Sequence, residues 1–90
     1  MRASRARAKA DPWSREFVSP VTLRDGRILT TLSDARAVML GLRPAVQGAA
    51  YWQFAAELLL NAAESGSRKS IQEARDQLCR ALGREELLPR

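Results

Sequence analysis

The groups able to do chemistry in this 90-residue chain are few. Histidine is absent and cysteine occurs once, as Cys79. The usual general base at neutral pH and the commonest metal ligand are therefore missing. A lone thiol can build neither an intrachain disulfide framework nor a thiolate cluster. The acids stand singly apart from Glu85-Glu86, and the glycines at 26, 41, 48, 66 and 83 form no phosphate-cradling loop. What remains is Arg75, four residues before Cys79. A cation beside a thiol favours the thiolate while apolar neighbours oppose it. With no imidazole to act as its base, Cys79 reads as a small core filler rather than a nucleophile. Arg75 sits at the edge of an Ile71, Leu78 and Leu82 stripe. It reads as a structural anchor, partly buried and paired with a carboxylate or with helix-end carbonyls. No catalytic, cofactor-binding or metal-ligating residue is nominated, and the chain is expected not to be an enzyme.

The charge is concentrated at one end. The formal net charge is +5, and thirteen of the fifteen basic residues are arginine. Residues 1–10 carry Arg2, Arg5, Arg7 and Lys9 with no acid, a side-chain charge of +4, which leaves +1 for the other eighty residues. This leader has no large apolar side chain to bury. Three readings compete for it: a disordered, solvated tail over residues 1–12, a nucleic-acid arm whose four cations contact phosphates weakly and without sequence choice, and a targeting peptide. The solvated tail is favoured. A secretory signal is not expected, because no apolar core precedes Ala8-Lys9-Ala10. With a single cysteine, this points to a reducing cytoplasm.

Residues 13–88 are expected to form a single compact domain. A chain of this size buries roughly 60–65% of its unfolded surface, enough for one modest core. Hydrophobic residues make up 46% and charged residues 28%, an ordinary globular balance. The longest strongly apolar stretch, Phe54 to Leu60, is interrupted by Glu57 and is too short to span a bilayer. No membrane partner is expected.

Within that domain Phe17, Val21 and Leu23 share one parity, as in a half-buried strand whose Pro20 belongs at an edge or a start. Asp25-Gly26 predicts a two-residue type I′ hairpin. That register places Arg24 opposite Arg27, Leu23 opposite Ile28 and Val21 opposite Thr30, with Ile28 on the core face. Ser33 is the expected N-cap of a short helix carrying Ala35, Val38, Met39 and Leu42, stopped by Gly41 and Arg43-Pro44. Residues 45–48 read as a connector. A helix over about 49–65 is apolar nearly all round, its polar residues Gln53, Glu57, Asn61 and Glu64 gathering within about 80°. Ser70-Ile71-Gln72-Glu73 reads as a capping box opening the last helix. That helix carries Arg68, Lys69, Arg80 and Arg84, but Glu73 and Asp76 share its face, and Asp76→Arg80 is an ordinary i, i+4 pair. The face is thus expected to be a balanced, solvated one rather than a DNA-recognition surface. The fold class expected is α+β: an N-terminal β-hairpin followed by three α-helices, the central helix buried.

In order along the chain, Phe17 followed by Pro20-Val21, the Gly26-Arg27 turn, Ser33 with Ala35, Leu40, Pro44, Gly48 before a long helix, and Ala74-Arg75 with Leu78 and Ala81 resemble a family of small, mainly alphaproteobacterial proteins catalogued as domain of unknown function 982. The resemblance covers about residues 13–84 and departs at Arg43, where the family often has Trp. It implies a bacterial, cytosolic setting and a compact α+β domain, and it sets Arg75 within a family motif.

The wide apolar arc of residues 49–65 needs more cover than one hairpin and two helices supply. Trp52, Phe54 and Leu60 are the expected interface residues. The function expected is protein–protein contact, as a homodimer or with a small regulatory partner. The alternative is a nucleic-acid accessory protein using the basic N-terminal arm.

Overall fold

A computed structural model describes residues 11–89. Asp11 opens a short 3-10 turn, Pro12–Ser14, by accepting the Trp13 backbone N–H at 3.0 Å. Strand β1, Glu16–Thr22, pairs antiparallel with β2, Ile28–Thr31. Helix α1 spans Leu32–Leu40, α2 Pro44–Gln47, α3 Ala50–Ser65 and α4 Arg68–Arg84. The order is the expected one, a hairpin followed by helices. Among the described residues there are four α-helices rather than three, because Pro44 starts a short turn of helix where a connector was expected.

The hairpin's parity on β1 is as read: Phe17, Val21 and Leu23 are all buried. Its register is not. Leu23 donates to the Arg27 carbonyl and Gly26 back to the Leu23 carbonyl, so the loop holds three residues, Arg24, Asp25 and Gly26. Gly26 takes φ 95°, the left-handed conformation that a three-residue loop with a bulge requires. Asp25 closes the loop by accepting the Arg27 backbone N–H at 3.0 Å and its Nε at 2.9 Å. The extra loop residue slips β2 by one: Val21 faces Leu29 and Thr22 faces Ile28. A one-residue slip exchanges the faces of a strand. Leu29 is therefore in the core at 4% exposure, and Ile28 lies outside at 59%.

Further back along β1 the pairing jumps from Glu16–Thr31 to Val21–Leu29. Residues 18–20, including Pro20, turn outward between the two buried anchors Phe17 and Val21.

The helix starts lie upstream of those expected. For α1 the cap is Thr31, not Ser33: its side chain accepts the Asp34 N–H, and Asp34 accepts the N–H groups of Thr30 and Thr31 at 2.8 and 3.0 Å. For α4 the cap is Ser67, which takes the Ser70 N–H, so the expected box at Ser70 lies inside the helix. Between α3 and α4, Gly66 at φ 67° closes α3 in a left-handed C-cap. A Cβ there would collide with the Arg15 guanidinium, whose Nε donates to the Ala63 carbonyl at 3.2 Å. The end of α4 also turns left-handed, at Glu86, with Leu87 donating back to Leu82.

The core gathers these elements around α3. Strand β1 lies on α4 and β2 on α1, while α3 packs against α4 on one side and α1 on another. Trp52, Ala55, Leu59, Ala62 and Ala63 of α3 meet Ile71, Ala74, Leu78, Ala81 and Leu82 of α4. The alanines at this seam keep the two helices close, and Trp52 is the largest side chain fully enclosed. No helix among the described residues is long and apolar enough to cross a membrane.

Two outcomes test this packing. Leu29→Ala should cost about 2–4 kcal/mol and Ile28→Ala less than about 1 kcal/mol in denaturant unfolding; the order would reverse in the two-residue register. The Asp34 carboxyl is held below its ordinary value of 3.8 by the Thr30 N–H first and the Thr31 N–H second. A depressed folded pKa gives stability present above the unfolded value and lost as pH falls through the folded one. Asp34→Ala should therefore be less stable than the parent at neutral pH, and the gap should close below about pH 4.

Candidate functional site

On α3 the polar residues Gln53, Glu57, Asn61 and Glu64 all face outward, and Phe54 and Leu60 flank them with 49% of their surface exposed each. Trp52 does not join them. It is completely buried, so the expected interface residue is a core residue, and the surface keeps Phe54 and Leu60. Successive residues advance 100° around a helix. Leu60 thus lies on the Ala56 side of the polar stripe and Phe54 on the other.

The Leu60 side borders a groove. About 360 Å³ of open space lies between a wall of Met39, Leu40, Leu42 and Gln47 and a wall of Trp52, Gln53, Ala56 and Glu57. A smaller hollow continues it past Met39, Leu40 and Ala56 toward Trp13 and Arg36. Leu40, on the α1 rim, is the most exposed large hydrophobic residue, at 68%. This groove was not foreseen. The sequence signal was present in Leu40, which falls off the Ala35, Val38, Met39 and Leu42 stripe and so has no inward place in α1.

Gln47 fixes the α1–α2 wall. Its side-chain amide donates to the carbonyls of Met39, Leu40 and Leu42 at 3.0, 3.3 and 2.9 Å, partnering groups that a helix end leaves open. At the other end Arg36 lies over the Trp13 ring, 5.1 Å from its centroid. The Trp52 indole N–H is buried with no hydrogen-bond partner among the described residues.

Arg75 bonds acceptors other than those expected. Its Nε donates to the Ser19 carbonyl at 2.6 Å and a terminal nitrogen to the Pro20 carbonyl at 3.2 Å. The partners are neither a carboxylate nor a helix end. They are strand carbonyls in the irregular stretch of β1. Cys79 is a free, half-buried thiol. Burial pushes its pKa up, Arg75 pulls the other way and Asp76 adds to the rise, which fits packing better than nucleophilic attack.

Beside α4's end, the Tyr51 hydroxyl donates to Glu85 at 2.6 Å, and Arg84 sits 4.9 Å from the Tyr51 ring centroid. The bond to Glu85, followed by desolvation and the carboxylate's charge, raises the phenol pKa, with Arg84 opposing. The nearly buried Gln77 donates to the Tyr51 carbonyl at 3.2 Å. On the exposed face of α4, Asp76 accepts from Gln72 and Arg80 donates to Gln77, so each has a neighbour other than the expected Asp76–Arg80 partner. Among the described residues no three His, Cys, Asp or Glu side chains gather as a metal site. Arg2, Arg5, Arg7 and Lys9, with the rest of residues 1–10, lie outside the described residues.

Compared with known families, with curated proteins and with solved structures, the chain finds no match in any of the three.

Truncating Arg75 removes two charge-assisted bonds that tie α4 to β1. Arg75→Ala should lower Tm by several degrees, about 1–2 kcal/mol in a domain of this size. Arg75→Lys, which cannot reach two carbonyls with one planar group, should recover only part of it. An unchanged Tm for both variants would show that the anchor contributes nothing.

Proposed function

We propose that this protein is a non-enzymatic module of the bacterial cytoplasm that acts through protein–protein contact, as a homodimer or with a small regulatory partner. The observation that carries the reading is the exposure of Leu40 at 68% and Leu60 at 49% beside an apolar groove that the fold leaves uncovered. Apolar side chains clustered at one place mark contact surfaces more often than isolated ones do. Phe54 adds a third on the far side of the α3 polar stripe. The lone cysteine supports a reducing, cytoplasmic setting. The scarcity of acid–base groups supports a binding role.

A second reading rests on the charge partition. Residues 1–10 carry +4 against +1 elsewhere, which suits a basic arm on nucleic acid.

One set of measurements separates them. Leu40→Glu should abolish binding of a hydrophobic dye and any contact the parent makes with protein, whether seen by light scattering or by retention of a partner on the tagged chain. Equal behaviour of the parent and Leu40→Glu in all three assays would remove the first reading. Oligonucleotide binding that falls steeply with salt and disappears on deletion of residues 1–10 would favour the second.

A further inference from the structure

We propose that the occupant of the α1–α3 groove is a second copy of this chain, docked about a two-fold axis that lies along the groove, so that Arg36 of each copy meets Glu57 of the other. The proposal rests on the protein-contact reading of the same groove and names its partner and geometry.

The first ground is charge. The two rims differ in sign. Arg36 stands at the α1 rim and Glu57 on the α3 rim. Arg36 lines the smaller hollow and Glu57 the larger, and the two hollows meet at Met39, Leu40 and Ala56, so the two charges flank that junction from opposite rims. Within one copy they leave each other unused. The ion pairs among the described residues are Arg24–Glu86 and Arg27–Asp25, and neither the Arg36 nor the Glu57 side chain makes a hydrogen bond. Arg36 is held instead by the Trp13 ring, which orients the guanidinium without consuming its N–H donors. A basic rim facing an acidic rim is self-complementary under a two-fold rotation. An axis along the groove lays the α1 rim of one copy on the α3 rim of the other and forms the pair twice, as an isologous interface does.

The second ground is shape. The same rotation carries Leu40, the most exposed large side chain, onto the α3 rim of the second copy. There Ala56 is the small residue of the wall and Leu60 stands one helical turn beyond it. A protruding leucine over an alanine flanked by a leucine is the packing expected where two helices meet. Of the full chain's +5, only +1 belongs to residues 11–90, so the domains themselves add little net repulsion.

The test is sedimentation equilibrium on the full chain, its Arg36→Glu and Glu57→Arg variants and the double variant, with circular dichroism to establish that all are folded. Both residues are exposed, so folding should survive. The parent should dimerise. Each single reversal sets like charges together twice and should weaken the dimer by about tenfold or more, and the double reversal should return it to within about threefold of the parent. A parent that stays monomeric at high concentration overturns the proposal, as do single reversals that leave the dimer unchanged or a double variant no better than the singles. Those outcomes leave the protein-contact reading standing wherever Leu40→Glu still abolishes dye binding or partner retention.

Discussion

Every packing decision in this molecule follows from the fact that α3 cannot stand in water. Its sequence places Trp52, Ala55, Leu59, Ala62 and Ala63 on one side, all at or near zero exposure, with partly buried Tyr51 and Leu58 beside them. Burying that surface is the largest favourable contribution available to so small a chain, at roughly 25 cal/mol for each Å² removed from water. The rest of the fold supplies the cover. Gly66 reverses the chain without a Cβ, and α4 returns along α3 with its own alanines, Ala74 and Ala81, at the seam. Arg15 crosses the turn and bonds Ala63, and α1 closes another flank. The hairpin packs mainly on the helices that flank α3, β1 against α4 and β2 against α1.

This division explains which parts of the fold were legible in the sequence. Parity along β1 and the apolar spacing in the helices report burial, and burial is what the sequence encodes most redundantly, so Phe17, Val21, Leu23, Ala35, Leu59 and Leu78 all lie where periodicity puts them. Register and caps are decided by single hydrogen bonds with close competitors. Asp25-Gly26 suits a two-residue loop and equally a three-residue loop with Gly26 left-handed, and the second buries Leu29 in place of Ile28. Thr31 and Ser33 can both cap a helix. Thr31 does so because Asp34, three residues on, returns the bond to its backbone. For α4, Ser67 wins over Ser70 because α3 has already ended at Gly66 and leaves no room for a longer loop.

The candidate site divides in the same manner. Arg75 could be read as an anchor from its place beside the apolar stripe, but its acceptors could not. They exist because β1 departs from its ladder between Glu16 and Val21, where the Ser19 and Pro20 carbonyls turn to the guanidinium. Phe54 and Leu60 were legible as the edges of an apolar arc, whereas Trp52 was misplaced. An arc wide enough to need cover on several sides does not say which part the monomer covers first. The groove was the least legible feature, because it is made by how α1 crosses α3 and not by either helix alone. It also depends on Gln47, whose amide bonds the last carbonyls of α1 and allows α2 to stop after one turn.

Two local costs of the isolated domain coincide at that groove. On one wall the Trp52 indole N–H is enclosed without a partner among the described residues, a condition worth about 1–3 kcal/mol against the fold. On the other, Leu40 leaves most of its surface in water. Elsewhere the buried polar side-chain atoms of the described residues are bonded, although Val18 and Ile28 also stand exposed, at 60% and 59%. Sequences selected for stability alone remove such defects readily, since a polar residue at position 40 or a different aromatic residue at 52 would suffice. Consistency across the remainder of a structure gives a local violation its meaning, and violations that coincide in space tend to mark the place where a protein does its work. Charge adds to the same location, with Arg36 and Glu57 on opposite rims and, among the described residues, no hydrogen bond to either side chain. The exposed leucine, the unpartnered donor and the unmatched charges converge on one face of the domain, and that convergence favours the α1–α3 face over α4 as its working surface.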